Sequence, residues 1–122
     1  MGDRARIVFT DGNEVSPVIY LHWHGSQVTY LLEQLRDLMA TRGPDLAYAA
    51  ARFVGIVHAT IPDENLSLGI SNASDDLRAA VLEGKRCELE QASYGDAGFI
   101  VVDVNDYGFE AYGGYLAGGW YE

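Results

Sequence analysis

The spacing of apolar residues changes at Ser26, and this change most narrows the folds open to the chain. Before it, Arg4 to Phe9 and Val15 to His24 are rich in β-branched and aromatic residues. Asp11-Gly12 between them is a hairpin signal, so two strands are predicted. After it, with Ser26 as the expected N-cap, apolar residues recur at three- and four-residue spacing: Val28, Leu31, Leu32, Leu35, Leu38 and Met39. This pattern predicts an amphipathic helix, with Leu31, Leu35 and Leu38 buried against the sheet.

The rest of the chain continues the alternation of helix-like and strand-like segments. Helices are predicted from Asp45 to Arg52 and from Ser74 to Gly84. Strands are predicted, in chain order, at 54–61, 66–70, 87–90, 99–104 and 109–112, with a turn at Pro62 to Asn65. Strand pairs separated by helices indicate an α+β fold. We therefore expect one globular domain over residues 1–122, a mainly antiparallel sheet built from hairpins with two to three helices packed on it.

Acidic residues are concentrated near the end of the chain. The net charge is −10, and the last 36 residues, from Cys87 to Glu122, carry seven carboxylates, five tyrosines and no Lys or Arg. The same segment contains Phe99, Ile100 and Val101, which a disordered tail would lack, so its acidity belongs to folded structure. Unpaired carboxylates repel nucleic acid, and they attract basic partners.

Carboxylates and tyrosines together predict a partner-binding site, since Tyr is a common interface anchor and carboxylates direct encounter with basic grooves. The predicted residues are Asp103, Asp106, Tyr107, Glu110, Tyr112 and Tyr115. The resulting hypothesis is a small acidic protein-binding module or inhibitor that engages a basic protein surface, including one that otherwise holds nucleic acid. Anti-defence proteins, anti-CRISPR proteins among them, share this physical profile, although no motif connects the chain to them. No cofactor, catalytic set, direct nucleic-acid binding or membrane partner is expected.

Two alternatives remain open. His22 and His24 would share one face of a strand, and His58 in the next strand pair would supply a third imidazole for a divalent metal with an open water position. The chain would then be a small metal-dependent enzyme or metal-binding protein, although no carboxylate stands close in the sequence and the aromatic neighbours fit a packed or partner-facing sheet surface equally well. The other alternative is a homodimer through an exposed strand edge.

The single cysteine, Cys87, is predicted to be a small buried side chain, because neighbouring Glu88 and Glu90 oppose formation of a thiolate nucleophile. With one cysteine no disulfide forms within the chain. The first residues lack the apolar stretch of a signal peptide, and no apolar run approaches the roughly 18 residues of a membrane span. A cytoplasmic location is therefore expected.

Overall fold

A five-stranded mixed sheet lies at the centre of the protein in the computed structural model, which describes residues 2–61 and 67–118. The strands are β1 (Ala5–Thr10), β2 (Val18–Leu21), β3 (Leu68–Ser71), β4 (Gly98–Asp103) and β5 (Gly108–Tyr112), in the order β3-β2-β1-β4-β5. Strands β1 and β4 are parallel, and the other neighbours are antiparallel. The predicted single α+β domain with a mainly antiparallel sheet is confirmed.

Within the described residues, four helices accompany the sheet. They are α1 (Val28–Leu38), α2 (Leu46–Thr60), α3 (Asp75–Glu83) and α4 (Arg86–Gln91), with short 3₁₀ turns at Gly25–Gln27 and Tyr115–Gly118. Because side chains alternate along a strand, β1 contributes Ile7 and Phe9 to a core shared with α1 and α2, and Val8 to a second core shared with α3 and α4. The sheet is therefore a middle layer. None of the described helices is both long enough and apolar enough to cross a bilayer.

Helix α1 confirms the predicted amphipathic pattern, with two corrections. Leu31 and Leu35 are fully buried, but Leu38 is 47% exposed, because Met39, four residues after Leu35, takes the inward position. Ser26 is not the N-cap, since it lies in the 3₁₀ turn before the helix and its backbone N–H donates to the Asp3 carboxylate at 2.8 Å.

The largest error of the sequence prediction concerns the segment that forms the second half of α2. The strand expected at 54–61 does not exist, because one helix runs from Leu46 to Thr60. Its buried residues Ala49, Phe53 and Val57 recur every four positions, so packing against α1 and β1 outweighs the strand preference of the β-branched residues. Strand β3 consequently pairs with β2 instead of with this segment. The turn predicted at 62–65 lies outside the described residues.

The segment from 87 to 90 is also helical, not a strand. In α4, Leu89 faces the core while Cys87 is exposed, so the expectation that Cys87 is buried is wrong. The start of α3 and the hairpin of β4 and β5 agree more closely with the sequence prediction. Ser74 caps α3 by accepting a hydrogen bond from Leu77 N at 3.1 Å, and β4 and β5 form the predicted hairpin. Strand β2 is shorter than predicted, ending at Leu21 before the histidines.

Candidate functional site

Two neighbouring turns at one end of the sheet carry carboxylates. Strands β1 and β4 are parallel, so the turns that follow them lie side by side. The first turn carries Asp11 and Glu14, and the second carries Asp103 and Asp106. The side-chain amide of Asn105 donates to the carbonyl oxygen of Asp11 at 3.2 Å and joins the two turns. Four acidic side chains are therefore collected from distant parts of the sequence.

Two more carboxylates border this cluster. The hydroxyl of Tyr107, in the turn between β4 and β5, donates to the carbonyl oxygen of Gly43 at 3.0 Å, which holds the loop before α2 against that turn. Asp45 follows in this loop and lines a cavity together with Asp11 and Glu14. Glu110 of β5 lines a separate cavity, of about 400 Å³, with Asp103 and Asp106. We call this set the acidic end: Asp11, Glu14, Asp45, Asp103, Asp106 and Glu110.

Backbone amides hold several of these carboxylates in place. The carboxylate of Asp11 accepts hydrogen bonds from the N–H groups of Glu14 and Asn13, at 2.9 and 2.8 Å, and these bonds lower the pKa of Asp11. Asp103 accepts from Asn105 N at 2.9 Å, and Asp106 accepts from Gly108 N at 2.8 Å. Such Asx turns explain why short acidic residues occupy these positions. The charges are thus presented from ordered turns.

Basic side chains near the acidic end are directed elsewhere. Within residues 2–61 and 67–118, no carboxylate of the acidic end has a Lys or Arg nitrogen within 4 Å. Lys85 and Arg86, which flank the smaller cavity, pair instead with Glu83 at 3.4 Å and Glu90 at 3.8 Å. The guanidinium of Arg42 lies 3.4 Å from the centre of a tyrosine ring on α2. The carboxylates of the acidic end therefore form no ion pair with a Lys or Arg of the described residues, although Arg42 and Arg52 line a third cavity together with Asp45.

The predicted tyrosine anchors are placed differently from the expectation. Tyr107 and Tyr112 are each 9% exposed, so little of either side chain is accessible at the surface of the acidic end. The backbone of Tyr107 has φ +59°, its side chain belongs to the core shared with α1 and α2, and burial raises the pKa of its hydroxyl. Tyr112 forms part of the wall of the smaller cavity. The structure thus places Asp103, Asp106 and Glu110 around one cavity, and it largely buries the side chains of Tyr107 and Tyr112.

Tyr115 is 41% exposed, but it lies at the opposite end of β1 and β4. Its hydroxyl donates to the Asp3 carboxylate at 2.6 Å, and its backbone N–H donates to the carbonyl oxygen of Asp96 at 2.9 Å. Partial burial and the hydrogen bond to the Asp3 carboxylate raise the pKa of the Tyr115 hydroxyl. Tyr115 therefore belongs to a different surface from the acidic end.

The three histidines do not form the predicted metal site. The Nδ1 atom of His22 lies 2.6 Å from the Tyr20 hydroxyl, and the ring of Trp23 packs 4.4 Å from its imidazole. His58 is exposed on α2 instead of standing on a neighbouring strand. Among the residues that the structure describes, no group of three His, Cys, Asp or Glu side chains is arranged to hold a metal ion. The metal hypothesis therefore loses the ligand set on which it rested.

A groove next to the acidic end was not anticipated from the sequence. Its cavity of about 670 Å³ lies between α2, the segment 11–17 that joins β1 to β2, and Ile70 of β3, and apolar side chains form most of its lining. Asp11, Glu14 and Asp45 belong to the same lining. We call it the apolar groove. Most of its α2 wall falls within the helix predicted at 45–52, but no local pattern in the sequence indicates that this helix lies beside the segment 15–17 and Ile70.

No protein-family model matches the chain, and no curated protein or solved structure matches it.

Proposed function

We propose that the chain is a protein-binding module whose acidic end engages a basic surface of another protein. The observation that carries the proposal is that six carboxylates from separate segments line two cavities towards one end of the sheet, with no Lys or Arg nitrogen within 4 Å of them in the described part of the chain. Such a surface attracts Lys- and Arg-rich partners over distances of about a Debye length, roughly 8 Å at physiological salt, and raises the rate of encounter.

The order of the acidic end supports recognition in addition to attraction. Asp11, Asp103 and Asp106 are each held by backbone N–H donors, so little side-chain freedom remains to be lost when a partner binds. Each of these carboxylates has accepting capacity beyond these bonds for Lys or Arg donors.

The partner class follows from the charge. Surfaces that hold nucleic acid present clustered Lys and Arg to neutralise phosphates, and a fixed group of carboxylates competes for the same side chains. We therefore propose that the partner is a nucleic-acid-binding protein in the cytoplasm and that the chain acts as an inhibitor of the anti-defence type. Direct binding of nucleic acid to the chain is disfavoured by its net charge of −10.

The test compares two charge-neutralised variants as baits in nuclease-treated lysate. The first carries Asp103→Asn, Asp106→Asn and Glu110→Gln in the acidic end. The matched control carries Glu33→Gln, Asp37→Asn and Glu88→Gln, three exposed acids of α1 and α4 that line neither cavity. Both variants lose the same net charge, so any difference between them reports position and not total charge.

The proposal expects a partner that the unmodified chain and the control retain and the first variant loses. Association of that partner, measured by surface plasmon resonance, should slow as salt rises, while dissociation changes less. Displacement of nucleic acid from the partner by the chain then tests the inhibitor assignment. Binding that is indifferent to salt and equal for all three baits would refute recognition by the acidic end.

A further inference from the structure

The helical layer stops short of the sheet edge, and this leaves the apolar groove open. Ile7, Ile19 and Ile70 are neighbours in register across β1, β2 and β3, on the face that α2 covers. The first two are fully buried, whereas Ile70 is 63% exposed. The apolar row of the sheet therefore continues one strand beyond the helices that cover it.

Short side chains on α2 form the helical wall of the groove. Ala47, Ala51 and Val54 line it at helical spacing, and Val15 and Pro17 line the other side. These residues leave a cavity of about 670 Å³ beside Ile70, in which another backbone can approach α2 closely. An occupant here would bury Ile70 and extend the apolar layer by one element.

The negative charge at the rim of the groove indicates that a molecule bound there carries basic side chains. Asp11, Glu14 and Asp45 line the groove with the apolar residues, and none of them pairs with a base within the described residues. An occupant needs an apolar face for Ile70 and α2, and Lys or Arg side chains for the rim. An amphipathic helix carries both on opposite sides, at a diameter of about 10 Å, close to the usual spacing between packed helices.

We propose that the apolar groove binds a basic amphipathic helix of the partner, which packs beside α2 and over β3. This inference rests on the proposed function, because it names the segment of the basic partner that the acidic end attracts. A second copy of the chain fits less well, since the same three acids of each copy would face one another. An extended strand would pair along the four-residue edge of β3 and leave the α2 wall uncovered.

The probe is a synthetic peptide of leucine and lysine, about 14 residues or four helical turns long, with leucine at helical spacing. One control peptide has the same composition in strict alternation, which suits a strand. Another replaces each lysine with glutamate. In NMR titrations of the ¹⁵N-labelled chain, we expect saturable binding of the helical peptide with shifts of the amides of α2 and β3. The alternating peptide should bind about tenfold more weakly or worse, and the glutamate peptide should not bind.

Two substitutions on α2 test the location of the peptide. Ala51→Arg places a long cation inside the groove, whereas Ala59→Arg adds the same charge at an exposed position of α2 outside the groove lining. We expect the first to weaken binding about tenfold or more and the second to weaken it much less. Circular dichroism and thermal unfolding confirm that both variants fold; if Ala51→Arg does not, Ile70→Ser replaces it, because Ile70 is exposed.

The outcomes separate this inference from the proposed function. In one outcome, binding is weakened by the triple variant Asp103→Asn, Asp106→Asn and Glu110→Gln but is unchanged by Ala51→Arg. This result would overturn the groove as the binding site of the helix and would retain recognition by the acidic end. Tighter binding of the alternating peptide would replace helix docking with strand addition to β3. A concentration-dependent dimer in sedimentation, dissolved by Ala51→Arg, would assign the groove to a second copy. No saturable binding of the helical peptide up to about 1 mM would overturn the inference itself.

Discussion

Replacing Leu35 with alanine is the most direct test of how the sheet and the helical layer are joined. Leu35 lies on the inner face of α1 and is fully buried. The substitution removes three carbon atoms, which at about 0.8 kcal/mol for each buried methylene corresponds to roughly 2.4 kcal/mol of transfer free energy. Because the surroundings relax only in part, the cavity left behind raises the expected loss to about 3 to 5 kcal/mol.

Leu38→Ala is the matched control on the same helix. Leu38 is 47% exposed, so the substitution loses only about half of the transfer free energy that a buried leucine would lose, and no enclosed cavity forms. The expected loss is about 1 kcal/mol. Urea unfolding followed by circular dichroism and by tryptophan fluorescence measures both variants, with an unchanged m-value as the sign that two-state unfolding is preserved. A loss below about 1 kcal/mol for Leu35→Ala, or equal losses for the two variants, would refute the assigned inner face of α1.

Two further predictions concern α2 and the ion pair at the other end of the sheet. Gly55 is an exposed residue inside α2, and a Cβ there would meet no atom within 4 Å. Gly55→Ala should therefore raise the free energy of unfolding by about 0.5 to 1 kcal/mol, and a loss in urea unfolding would contradict a continuous helix. Asp96 accepts hydrogen bonds from the backbone N–H and the Nε of Arg4, both at 2.9 Å, and these bonds lower its pKa. A carboxyl with a lowered folded pKa contributes stability that is present above its unfolded pKa, about 3.9, and is lost as the pH falls through the folded value. Unfolding measured between pH 7 and pH 2.5 should accordingly show a shallower acid dependence for Asp96→Asn than for the unmodified chain, and identical curves would show that the Arg4 contact adds nothing.

The parts of the fold with strong local signals could be predicted from the sequence. The three- and four-residue spacing in α1, the capping serine of α3 and the turn between β4 and β5 each depend on neighbours within a few positions. The segments at 54–60 and 87–90 could not be predicted, because both contain residues that suit a strand in isolation. Their helical state depends on burying Val57 and Leu89 against other elements, a contact that local pattern does not record.

The residues of the candidate site likewise include some that local sequence could predict and others that it could not. Asp103, Asp106 and Glu110 were recognised as a group because they are close in the sequence, and the structure keeps them at one cavity. Asp11 and Asp45 could not be added, since only the parallel pairing of β1 with β4 and the hydrogen bond from Tyr107 to Gly43 place them nearby. The burial of Tyr107 could not be predicted either, because it depends on core contacts and on a hydrogen bond to Gly43, which is far away in the sequence.

The sequence by itself determined the net charge, the α+β class and the elements whose periodicity is strong, because composition and local spacing carry that information directly. Only the tertiary structure decided which carboxylates meet, which tyrosines are buried and where the helical layer ends. The physical reason is that these properties arise from contacts between segments far apart in the chain, such as Asn105 with Asp11 and Ile19 with Ile70. The acidic end and the apolar groove are products of those contacts.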